Sequence, residues 1–479
     1  MRRVFEAECG RAARMKRLVI EHLPGFLKPL WARLEASPLG YRLARGTFWS
    51  LVGAVISKGL ALAASIVVAR VIGKISFGEL GMIQSTVGLF GVFAGLGMGL
   101  TANKHVAEFR GPAPVRAGRI IALSSATAWC SGLLMTIVLI GLAPWLAERT
   151  LAAPHLAPLL RAGSLLLLFS AVNGAQTGAL AGFEAFKRIA GINFYAGLAS
   201  FPLLVGGVWW RGLEGAVWGL VASQALTSFL SFLAVRSEAR SAGVPLAYSG
   251  AIQEWGVLWR FSLPAVLGTV TTGPVYWLCN TLLVNRPDGY AEMGVLNAAN
   301  QWFTALLFLP TVLGQAALPM LAERLGQNDR GRSSRVMWLS IKVNALISLP
   351  IVVVGSVCSR VIMNLYGSSF GEAWLTLVLV LCTAGLLAMQ TPVGHVITAS
   401  GRMWLGALMN LGWGLGFLGF TWLFLSWGAL GLATARLLAY LLHGIWTFAF
   451  AVRVLRGDAR LGSLQGIGPG PTPDEPTRP

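Results

Sequence analysis

Residues 47–70 read TFWSLVGAVISKGLALAASIVVAR, an apolar run with one charge, Lys58, near its middle and Arg70 at its end. About 20 mainly apolar residues are enough to cross a bilayer as a helix, so this stretch predicts a transmembrane span. At 1.5 Å per residue Lys58 falls ~18 Å along it, mid-bilayer and too deep for easy snorkelling. Working outward, the same pattern recurs at 77–100, 118–142, 160–182, 189–210, 213–235, 257–284, 292–318, 336–362, 373–398, 403–425 and 428–452. The expected fold class is therefore an all-α integral membrane protein with twelve transmembrane helices.

Composition agrees. Of 479 residues 55% are hydrophobic and only 12% charged, with mean hydropathy +0.66, whereas soluble domains carry about 25% charged residues. The ~10-residue alternation of an outer-membrane barrel is missing. Five cysteines (Cys9, Cys130, Cys279, Cys358, Cys382) have unrelated spacings and form no CxxC or Cys/His cluster, so neither a disulfide framework nor a metal site is expected.

Placing the N-terminus in the cytoplasm puts 28 of the 38 Lys and Arg on the inner side and seven on the outer. Such a bias sets orientation, so both termini are expected inside. It also accounts for most of the +19 net charge, which therefore points to topology and anionic lipids, not nucleic acid. The expected organisation is a basic leader at 1–45, a six-helix lobe at 46–236, a linker at 237–256, a second six-helix lobe at 257–455 and a Gly/Pro-rich tail at 456–479. In the leader Leu23, Leu27, Leu30 and Leu34 have helical spacing; a helix on the membrane surface and a disordered basic arm are both compatible with it.

The two lobes repeat one another. Phe77-Gly78-Glu79-Leu80-Gly81-Met82 recurs as Tyr290-Ala291-Glu292-Met293-Gly294-Val295, and Arg211-Gly212-Leu213-Glu214-Gly215-Ala216 as Trp427-Gly428-Ala429-Leu430-Gly431-Leu432. The order is kept and the offset runs from 213 to 216. Six is even, so both copies keep one orientation and are related by a pseudo-two-fold axis along the membrane normal, a transporter arrangement with substrate between the halves.

None of the 19 acidic residues lies in a span core, whereas Lys58, Lys342 and Arg436 do. A charge in hydrocarbon is costly and usually faces a protein interior or a water-filled path, so a bundle whose buried charges are all positive suits an anionic cargo. Arg436, with a guanidinium fork that matches phosphate, lies on one face of the last span with Tyr440 and His443. The repeat aligns Gln224 with Tyr440 and Thr227 with His443. The eighth span carries Asn297, Asn300 and Gln301, and the second offers Gln84. Such stripes line a cavity or join helices; a cavity of amides and hydroxyls suits sugars. Pro264, Pro274 and Pro310 interrupt the seventh and eighth spans as hinges or static bends.

Ala69-Arg70-Val71-Ile72-Gly73, followed by Phe77-Gly78, resembles the element that ends the first helix of Wzx-type oligosaccharide flippases, members of the multidrug/oligosaccharidyl-lipid/polysaccharide exporter superfamily. Leu96-Gly97 to Val106-Ala107 and the Gly212–Gly219 turn are also similar, and the resemblance covers about 46–455. It implies a V-shaped pair of six-helix lobes around a cationic lumen in the bacterial inner membrane. The implied cargo is a polyprenyl-pyrophosphate-linked oligosaccharide, with membrane lipids, a polysaccharide polymerase and chain-length proteins as partners, and no cofactor or catalytic residue is implied.

Two other classes stay open. A cation-coupled multidrug exporter of the same superfamily generally needs a buried carboxylate, and here the acids sit at helix ends. A membrane polysaccharide polymerase or ligase generally needs a large outer loop, and the longest here, 143–159, is short. No GxxxxGK[ST] phosphate loop occurs.

Overall fold

A computed structural model describes residues 38–246, 250–257, 262, 271–327, 329–401 and 403–456. The leader up to residue 37, the tail from 457 and Pro264 lie outside them. The described residues are helical, with short turns and no strand. The first lobe contains α1 (Pro38–Gly95), α2 (Met98–Phe109), α3 (Pro114–Trp145), α4 (Leu165–Gly182) and α5 (Phe186–Ser241). The second contains α6 (Thr272–Val284), α7 (Gly289–Gly326), α8 (Arg330–Val357), α9 (Trp374–Ala399), α10 (Met403–Phe424) and α11 (Gly428–Arg456).

Seven continuous helical stretches among the described residues are long and apolar enough to cross a membrane. Three of these, Val55–Phe109, Phe186–Ser241 and Trp404–Arg456, are about twice the necessary length. Each is folded back by a minimal break: Gly73 (φ 79°) in the first, Arg211–Gly212 in the second, and the single turn Leu425–Trp427 before Gly428 in the third. These are the junctions expected between spans 1 and 2, 5 and 6, and 11 and 12. The seventh expected span is described as a helix only from Thr272. The second differs from expectation: Leu96 (φ 41°) and Gly97 (φ 67°) interrupt it, and α2 carries it on to Phe109. Pro274 occupies the first turn of α6, where its missing N–H costs nothing, and α7 runs on through Pro310.

The duplication survives in the backbone. Gly212 has φ 54° and ψ −126°, and Gly428, 216 positions later, has φ 61° and ψ −135°. Only glycine adopts this region without strain, so both copies turn into their last helix through the same conformation.

Apolar packing shows how the lobes are joined. One large core cluster draws on both, from Phe77, Leu151 and Leu156 to Met293, Tyr366 and Phe370. At the opposite end the cores are separate. Val106, Ile121, Leu180 and Val235 pack within the first lobe, and Leu321, Met337, Val396 and Leu455 within the second. The lobes therefore share a core at the end carrying the Gly73, Gly212 and Gly428 turns, whereas toward the other end their apolar cores are separate and Thr101 and Ser262 meet through their hydroxyls at 2.6 Å.

The joined end is tied by backbone and side chain. The second limb of α1 crosses α7 so closely that a Cβ on Gly78 would stand 1.9 Å from the Tyr290 carbonyl oxygen, and one on Gly294 2.1 Å from that of Lys74. The Tyr290 hydroxyl donates to the Leu151 carbonyl at 2.8 Å, Asn285 Nδ2 to that of Thr150 at 2.8 Å, and Arg70 Nε to that of Leu365 at 2.5 Å. Burial, and secondarily Glu79, raise the Tyr290 phenol above its usual range, which keeps it a donor. The repeat-related acids have diverged. Glu79 meets His155 at 2.6 Å, whereas Glu292 accepts the Ala429 N–H at 2.8 Å, capping α11.

Candidate functional site

A cavity of about 480 Å³ opens between α1, α5 and α7. Lys58 lines it, with Ser57 and Ser65 on the same helix. Gln84 enters from the second limb of α1, Gln224 and Thr227 from the second limb of α5, and Asn297 and Gln301 from α7. Six of the eleven residues singled out in the sequence thus share one cavity, with contributions from both lobes. No acid lines it. Amides, hydroxyls and one ammonium group share the wall with apolar side chains such as Val68, Phe77, Leu80, Leu204 and Leu220, an arrangement suited to an amphipathic, anionic guest.

Part of that wall is fixed. Asn297 Nδ2 donates to the Phe77 carbonyl at 3.1 Å, across the lobe boundary, and Gln301 Nε2 approaches Asn297 Oδ1 at 3.5 Å. The α1–α5 wall is tight: a Cβ on Gly197 would stand 2.1 Å from Ser57 Oγ.

The other candidates lie elsewhere. Arg436 is 4% exposed and does not line the Lys58 cavity. Its Nη1 donates to Asn300 Oδ1 at 2.8 Å, and its guanidinium lies 4.5 Å from the centroid of the Phe303 ring. The Nε and Nη2 atoms are buried without a hydrogen-bond partner among the described residues. Asn300 shares α7 with Asn297 and Gln301, so this one helix presents amides to Lys58 on one face and to Arg436 on another. Tyr440 shares a hydrogen bond of 3.0 Å with Tyr276, and its carbonyl accepts Gln390 Nε2 at 2.8 Å. His443 enters a different pocket. Lys342 is exposed on α8 and lines no described cavity. The stripe on the last span is thus divided among three neighbours, because each side chain meets a different helix.

Sequence reasoning overlooked Asn193, Ser200 and Ser223, which also line the cavity. A signal was present: Asn193, Gly197, Ser200 and Leu204 recur at helical spacing, as do Lys58, Ala61 and Ser65. Arg436 and Lys58 are expected to respond differently to truncation. Arg436→Ala leaves Asn300 without its charged donor and removes packing on Phe303, so it should cost about 1.5–3 kcal/mol of stability. Thermal unfolding in detergent should show this loss for Arg436→Ala and none for Lys58→Ala.

Comparison with known proteins places this geometry. The model of a family described as polysaccharide biosynthesis protein matches residues 43–324, and that of the MatE family matches 266–412. The EPS I polysaccharide export inner membrane protein EpsE of Ralstonia nicotianae (strain ATCC BAA-1114 / GMI1000) is 24% identical over 262 residues, 51% of this chain and 56% of that protein. Its namesake from Ralstonia solanacearum is 29% identical over 151 residues, 30% of this chain and 33% of that protein. The chain thus spans about half or less of the length of these curated relatives. Among solved structures, the inward-facing conformation of a multidrug resistance MATE family transporter of the MOP superfamily superposes with a TM-score of 0.70. It covers 86% of this chain and 99% of that one at 15% identity. The fold is therefore the two-lobed MATE fold.

Proposed function

Because the chain belongs to the polysaccharide biosynthesis protein family, we propose that it flips polyprenyl-pyrophosphate-linked oligosaccharide units across the bacterial inner membrane by alternating access. The observation that carries this reading is the cavity beside Lys58: cationic, free of acids, rich in amides and hydroxyls, and bounded by both lobes. Lys58 receives the pyrophosphate, and Gln84, Gln224, Thr227, Asn297 and Gln301 receive the sugar nearest to it. Arg436, held by Asn300 behind α7, adds positive potential and reaches the cargo only as the lobes rock. The acid-free wall sets this reading apart from a cation-coupled drug exporter. The curated relatives are named for polysaccharide export in the inner membrane, in keeping with that cargo and location. A polysaccharide polymerase and chain-length proteins would act on the product at the outer face.

In this reading the joined end faces outward and the opposite end faces the cytoplasm, with both chain termini inside. A reporter fused after residue 455 should be active only as a cytoplasmic fusion; external activity would reverse the orientation. The function itself is tested by removing the protein from its host. Lipid-linked oligosaccharide should accumulate in the inner leaflet, whereas single units displayed outside without polymerisation would point to a polymerase.

A further inference from the structure

The two lobes are copies, and at one seam where they differ the second lobe carries a groove. Internal pockets fix the register between them. All eight residues lining a small first-lobe pocket between α4 and α5 have counterparts, 216 or 217 positions later, that line a second-lobe pocket between α9, α10 and α11. In that register Gly444 stands at the place of Ser228 and Val393 at the place of Gln176. In the first lobe the pair is polar and buried, and Ser228 Oγ donates to Gln176 Oε1 at 3.4 Å across the α4–α5 seam. In the second lobe hydroxyl and amide are both gone. Gly444 and Val393 there line a groove of about 380 Å³ between α8, α9 and α11.

The groove is apolar. Trp338 and Ile341 of α8 form one wall, with Met389 of α9 and Leu441, Ile445 and Phe448 of α11 facing them. The one amide among the lining residues, Gln390, is engaged, its Nε2 donating to the Tyr440 carbonyl at 2.8 Å. Trp338, Leu441 and Ile445 are exposed at the mouth. All three helices are long and apolar enough to cross a membrane, so the mouth opens to hydrocarbon. The Trp338 and Phe448 rings meet edge to face at 5.7 Å and close one end. From Phe448 to Leu441 is seven residues, about 10 Å along the helix. The hydrocarbon of one leaflet is ~15 Å deep, half of the ~30 Å core. The groove therefore suits one chain lying within a single leaflet.

The Trp338 end lies toward the start of α8, the cytoplasmic end in the orientation proposed above. Two cations flank Trp338 on the same side of α8, Arg335 three residues before it and Lys342 four residues after it. Both are exposed, and among the described residues no acid lies within ion-pair distance of either, whereas Arg332 holds Asp329 at 3.4 Å. Lys342 lies inside an apolar run, where an uncompensated charge is costly. Its four-carbon stem lets the ammonium reach back toward Trp338 and the membrane surface. An apolar slot of one-leaflet depth with two cations at its surface end complements an acyl chain and the phosphate from which it hangs. The lipid tail of the cargo is not called for here, because no residue of the groove lines the Lys58 cavity.

We propose that this groove binds an anionic phospholipid of the inner leaflet, with one acyl chain between α8, α9 and α11 and the headgroup phosphate held by Arg335 and Lys342. The site goes beyond the flippase reading and does not depend on it. It also gives Lys342 a function away from the cargo cavity.

Photo-cross-linking of the full chain tests this. The protein is placed in phosphatidylcholine nanodiscs containing a trace of phosphatidylglycerol with a photoreactive acyl chain, irradiated, digested and mapped by mass spectrometry. Cross-links should concentrate on the groove segments of α8, α9 and α11. A cation near the membrane surface favours an anionic lipid about five-fold, so the same probe on phosphatidylcholine should label the groove roughly 25-fold less. Arg335→Gln with Lys342→Gln alters two exposed side chains and should bring the two probes level. Leu441→Trp fills the groove from an exposed position and should remove groove cross-links while leaving those elsewhere on the lipid-facing surface unchanged. Equal groove labelling of the unaltered protein by both headgroups, cross-links spread evenly over the lipid-facing helices, or full groove labelling of Leu441→Trp would each overturn the site. Polyprenyl phosphate displacing the probe more readily than unlabelled phosphatidylglycerol would assign the groove to the cargo's tail and overturn the phospholipid. None of these outcomes requires the protein to export polysaccharide, so the site and the flippase reading stand or fall separately.

Discussion

Lys58→Ala should stop export while leaving the protein inserted and folded. Lys58 lines the 480 Å³ cavity, and the wall offers neutral groups around it. A hydrogen bond to a charged partner contributes about 1.5–3 kcal/mol, or roughly ten- to a hundred-fold in affinity. The pyrophosphate carries several oxygens, so loss of the ammonium should fall in the upper part of that range. Lys58→Arg keeps the charge and should retain part of the activity, whereas Lys58→Gln keeps only hydrogen bonding and should not. Polymer at the cell surface, normalised to protein abundance in the membrane, is the readout. Normal export by Lys58→Ala would show that this cavity does not hold the anionic end of the cargo.

The second large effect is expected at the crossing of α1 with α7. Gly294→Leu places a branched side chain where even a Cβ would stand 2.1 Å from the Lys74 carbonyl oxygen. Overpacking usually costs about 1–3 kcal/mol, and here the obstacle is backbone, which cannot turn aside as a side chain can. The contact joins the lobes, so the strain should be relieved by opening the joined end. Leu151, fully buried beneath the Tyr290 hydrogen bond, reports on this. In a background freed of the native cysteines, Leu151→Cys should resist thiol reagents added from outside. With Gly294→Leu it should become reactive. Protection that persists in the double substitution would mean that other contacts close this end.

Much of the fold was legible because each span is a long apolar run and each repeat unit carries its own turn. The Gly212 and Gly428 junctions were visible as aligned sequence and proved to share one conformation. The break at Leu96–Gly97 was harder to see: hydropathy continues through it, and only the backbone angles separate α1 from α2. Lys58, Gln84, Gln224, Thr227, Asn297 and Gln301 stand out in the sequence as polar residues within apolar runs, and in the structure they line one cavity. Arg436 was joined to them by its charge, its guanidinium fork and the helix face it shares with Tyr440 and His443. Its place behind α7 depends on Phe303 and Asn300, a tertiary contact that no periodicity encodes.

The tight turns at the joined end have a mechanical consequence. A junction of one or two residues offers only a few soft torsions, so helices paired through Gly73 or through Arg211–Gly212 cannot slide lengthwise past each other. They can only pivot. Force applied to one member reaches its partner almost undiminished, and the natural moving part is the helical hairpin, stiff along its length and free to tilt about its tip. A cargo pulling on Lys58 in the first limb of α1 would thus turn the second limb as well, levering directly on the seam with α7.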